Sequence, residues 1–287
     1  MDAHRSGYSV VMLCRALQIS RSGYYASKTR TIGVRRRANQ QLLGALMVCH
    51  EKYPALGLDS LYHLLHPQFG CSRSRVHRLM KRAGLHSERK RAYRCTTNSR
   101  HAYPVAPNLL RRNFKADLPN RMWVGDITYV PTDEGWLYTA IVKDLCTKKV
   151  VSYAFSNRID TNLTIRALRM AVQRQHPKPG LIFHSDRGVQ YASTAYQSVL
   201  RRFSIQPSMS RKGDPYDNAV AENFFSCLKC ELIYLHHFQT REQAMASVFA
   251  YIEAFYNSVR PHSGIGWLSP NKFADSFTKS AKSCNSL

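Results

Sequence analysis

The sequence predicts a mixed α/β fold of the α+β type, with an all-α helix-turn-helix region ahead of it. Three observations carry that expectation. From Met122 to Met209 the apolar pattern runs strand, strand, strand, helix, strand, helix, strand, an order that builds a mixed sheet with helices packed on it. Before residue 90 every periodic segment has helical spacing. The charge divides along the same line: residues 1–120 hold 22 Lys and Arg against 5 Asp and Glu, and residues 121–287 hold 20 against 13.

The helical region comes first. Val10 to Leu17 is apolar on one face, Gln18-Ile19 interrupts it, and Ser20 is a good N-cap for a second short helix. Two short helices across a tight break form a candidate helix-turn-helix, with Arg21, Ser22, Tyr24 and Lys28 facing DNA. A plain helical hairpin is the ordinary alternative. A basic connector leads to a helix over 38–52, which Pro54 and Gly57 stop. Leu58 to Leu65 makes a short helix and Pro67 to Gly70 a turn. Ser72 then caps a helix with Val76, Leu79 and Met80 on its apolar stripe, and Gly84 ends it. Arg73, Arg75, Arg78 and Lys81 crowd the outer face, so this helix is the better candidate for phosphate contact; a solvated charged face is the bland reading. The stretch from Ser87 to Pro119 is basic, holds interleaved aromatics and is broken by Pro104 and Pro107, so it reads as an extended tether.

The whole chain carries a formal charge of +24. Such a surface repels itself unless a polyanion screens it, so nucleic acid is the leading partner. Eight cysteines are scattered along the chain, no signal peptide precedes them, and no apolar run is long enough to span a membrane. A cytoplasmic, reducing setting with free thiols and no membrane partner is expected. Cys227-Leu-Lys-Cys230 sits inside a helical pattern with no second pair to complete a zinc tetrahedron, and His63 and His66 lack matching cysteines.

In the second half, Met122 to Val130, Trp136 to Leu145 and Lys149 to Phe155 read as strands of a meander. Asp160 caps a helix over 161–175, Leu181 to His184 is a short strand, 194–203 is helical, and Ile205 to Met209 is a fifth strand. Asp217 is expected to cap a helix from Asn218 to about Tyr234, and Thr240 a last one to Tyr256. Three carboxylates stand out. Asp126 lies inside a strand, where Asp is costly unless used. Asp186 follows an apolar strand, and 35 residues separate it from Glu222. Glu222 stands off the apolar stripe of its helix and shares a face with Lys229. A hard divalent cation, Mg²⁺ or Mn²⁺, takes few carboxylates and keeps positions open for phosphate oxygens, and two such ions suit an in-line displacement at phosphorus. Asp133, Glu134, Asp144, Asp214 and Asp217 compete for the same role, and spacing alone does not exclude them. Arg187, Arg211 and Lys212 flank the acids and are expected to meet DNA.

Read in order, W-V-G-D-I-T-Y, E-G-W-L-Y, H-S-D-R-G-V-Q-Y, S-M-S-R-K-G, Y-D-N-A-V-A-E-N-F-F-S-C-L-K and Y-N-S-V-R-P-H resemble the insertion-sequence transposases that carry a retroviral-integrase-like core. The resemblance implies a ribonuclease-H-like five-stranded sheet and a DDE triad of Asp126, Asp186 and Glu222 that holds the metal. It places Lys229 against the transposon end. It implies cleavage of a 3′ end by water and strand transfer by the freed 3′ hydroxyl, on double-stranded transposon and target DNA, by a homo-oligomer in a bacterial cytoplasm at the nucleoid. Relatives are often made as a fusion with an upstream frame, so such a partner is implied as well. Residues 53–66 lack the Arg pair that the family usually shows there. The expected division is a helical segment 1–50, a helix-turn-helix-like DNA-binding domain 51–90, a basic linker 91–119, an integrase catalytic core 120–278 and a disordered tail 279–287.

Overall fold

The structure, a computed structural model, describes residues 4, 6–29, 33–88, 103–211, 217 and 219–284. The expectations placed on Lys212, on Asp214, on 89–102 and on 285–287 lie outside the described residues. Clustering of the backbone gives two compact units, Met1–Val48 and Cys49–Leu287.

In the first unit, α1 (Val10–Ala16) and α2 (Arg21–Thr29) are capped as their sequence suggests. The Ser9 hydroxyl accepts from the Met12 N–H at 3.4 Å, and the Ser20 hydroxyl from the Gly23 N–H at 3.0 Å. A Cβ on residue 23 would lie 2.8 Å from that Ser20 oxygen. The glycine that lowers helix propensity therefore leaves room for the cap. Tyr24 is buried, so its expected place facing DNA is corrected: it packs inside, with Lys28 Nζ 5.8 Å from its ring centre. Helix α3 (Val34–Lys52) starts four residues earlier than its apolar stripe suggested.

The second unit opens with α4 (Leu58–Phe69) and α5 (Arg73–Arg82). Helix α4 runs through Pro67 instead of turning there. Gly70, at φ +52°, ends it and donates its N–H to the His66 carbonyl. Proline removes one helical bond this close to the end, and the burial of Leu61 and Leu65 offsets that loss. Helix α5 begins at the expected cap, the Ser72 hydroxyl accepting from the Arg75 N–H at 3.3 Å.

The sheet follows: β1 (Met122–Thr132), β2 (Gly135–Asp144), β3 (Val150–Ser156), β4 (Ile182–Ser185) and β5 (Gln206–Met209). Its order is β3-β2-β1-β4-β5, antiparallel across β3, β2 and β1 and parallel across β1, β4 and β5. This is the expected mixed five-stranded sheet. Helix α6 (Thr161–Gln175), capped by Asp160, crosses back to β4, and α7 (Val189–Ala192) and α8 (Thr194–Arg202) lead to β5. They cover one face, where Trp123, Phe183, Leu163, Leu168 and Tyr196 form the main core. Helix α9 (Ala219–Glu231) and α10 (Arg241–Ala250) follow, and a π-helical turn, Tyr251–Tyr256, extends α10.

Two expectations about the ends of this unit are corrected. The described part of the tether, 103–119, lies on the core: Leu110 is buried beside Val124, Leu145 and Ala221, with Phe114 and Ala116 packed against them. Leu110, Phe114 and Ala116, spaced among the basic residues, give that segment something to bury. The tail is not disordered at its start, because α11 (Pro270–Cys284) continues through residue 284.

Gly125 sits where β1 meets β4. Trp123 pairs with Phe183, and a Cβ on residue 125 would overlap the Phe183 ring, which is itself buried. The ring fills the space that the glycine leaves and has nowhere to go. Gly125→Ala is expected to destabilise the core by about 1–3 kcal/mol, read as a lower urea midpoint, and the added Phe183→Leu change should recover part of that loss.

Candidate active site

The register of β1 against β4 brings two acids together. Val124 pairs with His184, and two residues further along each strand stand Asp126 and Asp186. The two acids thus stand just past the paired stretch of neighbouring strands, and the buried Tyr191 hydroxyl senses the charge of both. Each is fixed by the backbone. Asp126 Oδ1 accepts from the Ile127 N–H at 2.7 Å, and Asp186 Oδ1 from the Gly188 N–H at 2.9 Å. A Cβ on residue 188 would lie 3.0 Å from Asp186 Oδ1, which is why a glycine follows the Asp-Arg pair.

Helix α9 supplies the third acid. Ala221 is buried against Val124, Leu110 and Leu145, and the next residue, Glu222, is exposed beside it. Loss of solvent and the negative charge of Asp186 hold the Glu222 carboxyl above the usual glutamate range. Seven residues on, Lys229 is half-buried; burial lowers its pKa while the charge of Asp126 works against that shift. Beneath both aspartates lies the Tyr191 hydroxyl, its pKa pushed well up by burial, by Tyr196 and by the two carboxylates. Asp126, Asp186, Glu222 and Lys229 therefore act on one another electrostatically. Among the described residues, no three His, Cys, Asp or Glu side chains are already gathered at the spacing of a metal cage. The donor set still fits a hard cation: it offers carboxylate oxygens only, and Glu222, raised first by loss of solvent and then by the charge of Asp186, gains a counter-charge when a cation binds.

The competing acids among the described residues are committed elsewhere. Asp144 is buried, accepting from the Thr147 N–H and hydroxyl at 2.7 and 2.8 Å and from the Asn120 N–H at 2.8 Å. It closes the turn after β2. Asp133 meets His237 at 2.9 Å, and Glu134 accepts from the Arg241 N–H at 2.9 Å. Asp217 accepts from the Arg211 N–H and Nε, both at 2.9 Å, and from the Asn108 amide at 2.9 Å. Those partners, the Arg211 guanidinium first, hold its pKa well below the usual carboxylate range. The expected cap is thus instead an anchor that ties the lead-in segment to the core.

His184, which opens the sequence block around Asp186, is also structural. The Asp217 carbonyl can only accept, so His184 Nε2 carries the proton and donates to it at 2.9 Å. Nδ1 then accepts from the Ser208 hydroxyl at 2.8 Å, and Ser208 Oγ accepts from the Leu109 N–H at 2.9 Å. Burial lowers the His184 pKa and keeps the ring neutral. This chain of bonds joins β4, β5, the lead-in and the approach to α9.

Sequence reasoning missed the supports behind α9. The Arg260 guanidinium clasps Glu231 at the end of the helix, with Nη2 at 2.7 Å from Oε1 and Nε at 2.9 Å from Oε2. Both side chains are nearly enclosed, at 10% and 3% exposure. The Tyr251 hydroxyl donates to Glu231 at 2.8 Å, and Arg260 Nη2 reaches the Cys227 sulfur at 3.3 Å. Asn257 donates to and accepts from the backbone of Val150, both at 3.0 Å. The Y-N-S-V-R-P-H block was the available signal, but an arginine far along the chain does not name its partner. Deeper still, Lys143 of β2 is buried between Phe224 and Tyr256, its ammonium 5.8 and 5.7 Å from their ring centres. Burial pushes its pKa down to about 7.

The expected DNA-contact residues fall into two groups. Arg187 Nε donates to the Ser210 carbonyl at 2.6 Å, Arg211 holds Asp217, and Arg73 Nε meets Asp59 at 2.6 Å. Arg78 and Lys81 are exposed on α5, Arg75 is half-buried, and Lys229 Nζ lies 5.4 Å from the centre of the Tyr129 ring. Each of the six described free cysteines, Cys227 and Cys230 among them, is a thiol.

Comparison with known proteins gives a consistent result. Residues 116–215 and 203–270 match integrase core domains, and residues 36–93 match an HTH-like domain. The 31 kDa protein of insertion element IS600 from Shigella sonnei is 40% identical over 273 residues, covering 94% of this chain and 100% of that protein. Transposase InsF of insertion sequence IS3A from Escherichia coli K12 is 38% identical over 279 residues, covering 95% of this chain and 96% of that protein. Among solved structures, a simian T-cell lymphotropic virus intasome chain aligns with 80% of this chain and 74% of its own length, at 16% identity and a TM-score of 0.48.

Two changes test the supports. Arg260→Ala strands Glu231 without its partner in the interior and is expected to cost about 3–5 kcal/mol, measured by urea unfolding. Lys143→Met removes a buried amine whose folded pKa is about 7 against roughly 10.4 unfolded. Between those values the unfolded chain binds a proton that the folded chain does not, so wild-type stability rises with pH there. The variant should melt higher than wild type at pH 7.5 and lose that rise, as followed by thermal melts across the window.

Proposed function

This chain belongs to the insertion-sequence transposases with an integrase core, and from that premise we propose that Asp126, Asp186 and Glu222 are its catalytic triad. The enzyme is a DNA transposase, a polynucleotidyl transferase. The observation that supports the triad is the β1–β4 register, which pairs Val124 with His184, two residues before Asp126 and Asp186, together with the electrostatic effect of Asp186 on Glu222.

In this reading the three carboxylates hold Mg²⁺ or Mn²⁺ when DNA is bound. Held by Asp126, Asp186 and Glu222, two such ions would supply charge stabilisation for an in-line displacement at phosphorus. The chain's own residues do the positioning. The Ile127 and Gly188 N–H groups orient the aspartates. Helix α9 carries Glu222 over them, with Arg260 bracing its far end. Lys229 offers its ammonium to a phosphate of the transposon end, next to Asp126. Hydrolysis would free a 3′ hydroxyl, and the same site would direct that hydroxyl at target DNA. No protein nucleophile is required.

Its HTH-like and integrase domains imply DNA binding. The finer assignments belong to the proposal: α5 contacts phosphates through Arg75, Arg78 and Lys81, with Arg73, Arg187, Arg211 and Lys212 as further contacts. The working assembly is a homo-oligomer on DNA at the nucleoid, with an upstream-frame partner. Residues 51–90 act as the DNA-binding domain and 120–278 as the catalytic core, behind a helical segment 1–50, and the segment that leads into the core is anchored to it through Leu110, Phe114 and Ala116. Among the described residues no helix is long and apolar enough to cross a membrane.

An end-cleavage and strand-transfer assay with Mg²⁺ tests the triad. Asp186→Asn is expected to reduce both reactions by at least about 10³-fold, a loss of roughly 4 kcal/mol of transition-state stabilisation, with DNA binding retained in a gel-shift assay. Undiminished strand transfer by that variant would overturn the assignment.

A further inference from the structure

We propose that Trp136 and Tyr129 form a shelf on which unpaired terminal bases of the DNA strand stack while Lys229 holds the adjoining phosphate. The proposal rests on the reading of Asp126, Asp186 and Glu222 as the catalytic centre. It adds a nucleobase subsite to that centre and gives Trp136 a positioning role.

The shelf stands at the open side of β1. Strand β4 pairs with β1 only over Met122–Val124, so among the described strands none covers that side of β1 beyond the catalytic aspartate. Tyr129 lies three residues past Asp126. Trp136 comes from the facing strand, paired with Pro131 and therefore diagonal to Tyr129. Their ring centres are 4.7 Å apart at 86°, edge to face. Trp136 is 39% exposed, a large apolar surface left in water at the rim of a nucleic-acid site. Lys229 Nζ caps the Tyr129 ring at 5.4 Å, and Tyr234 is close enough for its titration to feel Tyr129.

The hairpin that carries Trp136 is held in place. Arg241, at the start of α10, donates from Nε to the Trp136 carbonyl at 3.1 Å and from its backbone N–H to Glu134 at 2.9 Å. The Asp133 N–H donates to the Phe238 carbonyl at 3.1 Å, and the Thr132 hydroxyl to the Gly135 carbonyl at 2.6 Å. A preorganised ring loses little freedom on stacking. Every base offers a π-face, so such a shelf accepts the end of a strand without regard to sequence, and an ammonium beside it suits the phosphate that follows. A protein partner would need an apolar groove here; an exposed indole braced edge to face by a tyrosine, with a lysine beside it, fits a nucleobase and its phosphate better. The consequence for the reaction is positional: bases drawn onto the shelf leave the duplex, and the phosphate behind them is held at Lys229, whose ammonium lies over the Tyr129 ring.

The probe is a duplex with a splayed end carrying 2-aminopurine as its unpaired terminal base, compared with the same label placed inside the duplex. Stacking quenches 2-aminopurine, so wild type should quench the terminal label and leave the internal one unchanged. Trp136→Ala should lose that quench, bind the splayed end about tenfold more weakly, in line with the loss of one stacked base, and cleave blunt ends more slowly through kcat. Trp136→Phe should restore most of both effects, and thermal melts of all three proteins should coincide. Equal terminal quenching by wild type and Trp136→Ala overturns the shelf. The quench is read without metal, so it decides the shelf even if wild type shows no Mg²⁺-dependent cleavage, a result that would instead overturn the catalytic reading.

Discussion

The pairing of β1 with β4 is the contact on which the rest of this structure depends. It is parallel, short and limited to Met122–Val124 against Ile182–His184. Its register decides which residues of two strands, far apart in sequence, become neighbours. A slip of one residue would turn one aspartate to the opposite face. Two features hold the register. The Phe183 ring enters the space that Gly125 leaves, and the buried His184 ties β4 to Ser208 of β5 and to Asp217 ahead of α9. A neutral, fully bonded histidine is suited to that work, since an ionised one in the same place would demand a counter-charge.

The third acid is placed differently. Glu222 rides on a helix, and a helix can slide or tilt as a body. Ala221 seats α9 closely on Val124, and the Arg260–Glu231 pair holds the opposite end. A buried ion pair is weak evidence for net stability, since desolvation consumes most of its Coulomb energy. It is directional, however, and its bidentate geometry sets the axial position of the helix. We read the pair as a positioning device for Glu222, supported by Tyr251 and by the Cys227 contact. Lys143, buried under the same helix, shows how far this domain admits cationic groups into its interior when aromatic faces are present to receive them.

Charge has two jobs in this chain. On α5 it is displayed outward, where Arg78 and Lys81 stand in solvent. Around the aspartates it is tied into the fold: Arg211 binds Asp217 and Arg187 the Ser210 carbonyl, while Lys229 feels the charge of Asp126. Asp186 and Glu222 act on each other as like charges, a repulsion that a divalent cation relieves on binding.

Much was legible from sequence because it is local. Caps, apolar periodicity and charge are properties of neighbouring residues, so Ser72, Asp160 and Gly84 marked helix ends, and alternation around Asp126 marked a strand. The acids stood out because an aspartate inside a strand conflicts with its neighbours. What sequence could not supply were contacts between distant segments. The packing of Leu110 and Phe114 on the core, the commitment of Asp217 to Arg211 and Asn108, the burial of Tyr24, the passage of α4 through Pro67 and the partnership of Arg260 with Glu231 all depend on surfaces brought together by folding. Types and spacings of the site residues are written in the chain. Their neighbours are chosen by strand register and helix seating, because burial energy belongs to pairs of surfaces and not to any one stretch of sequence.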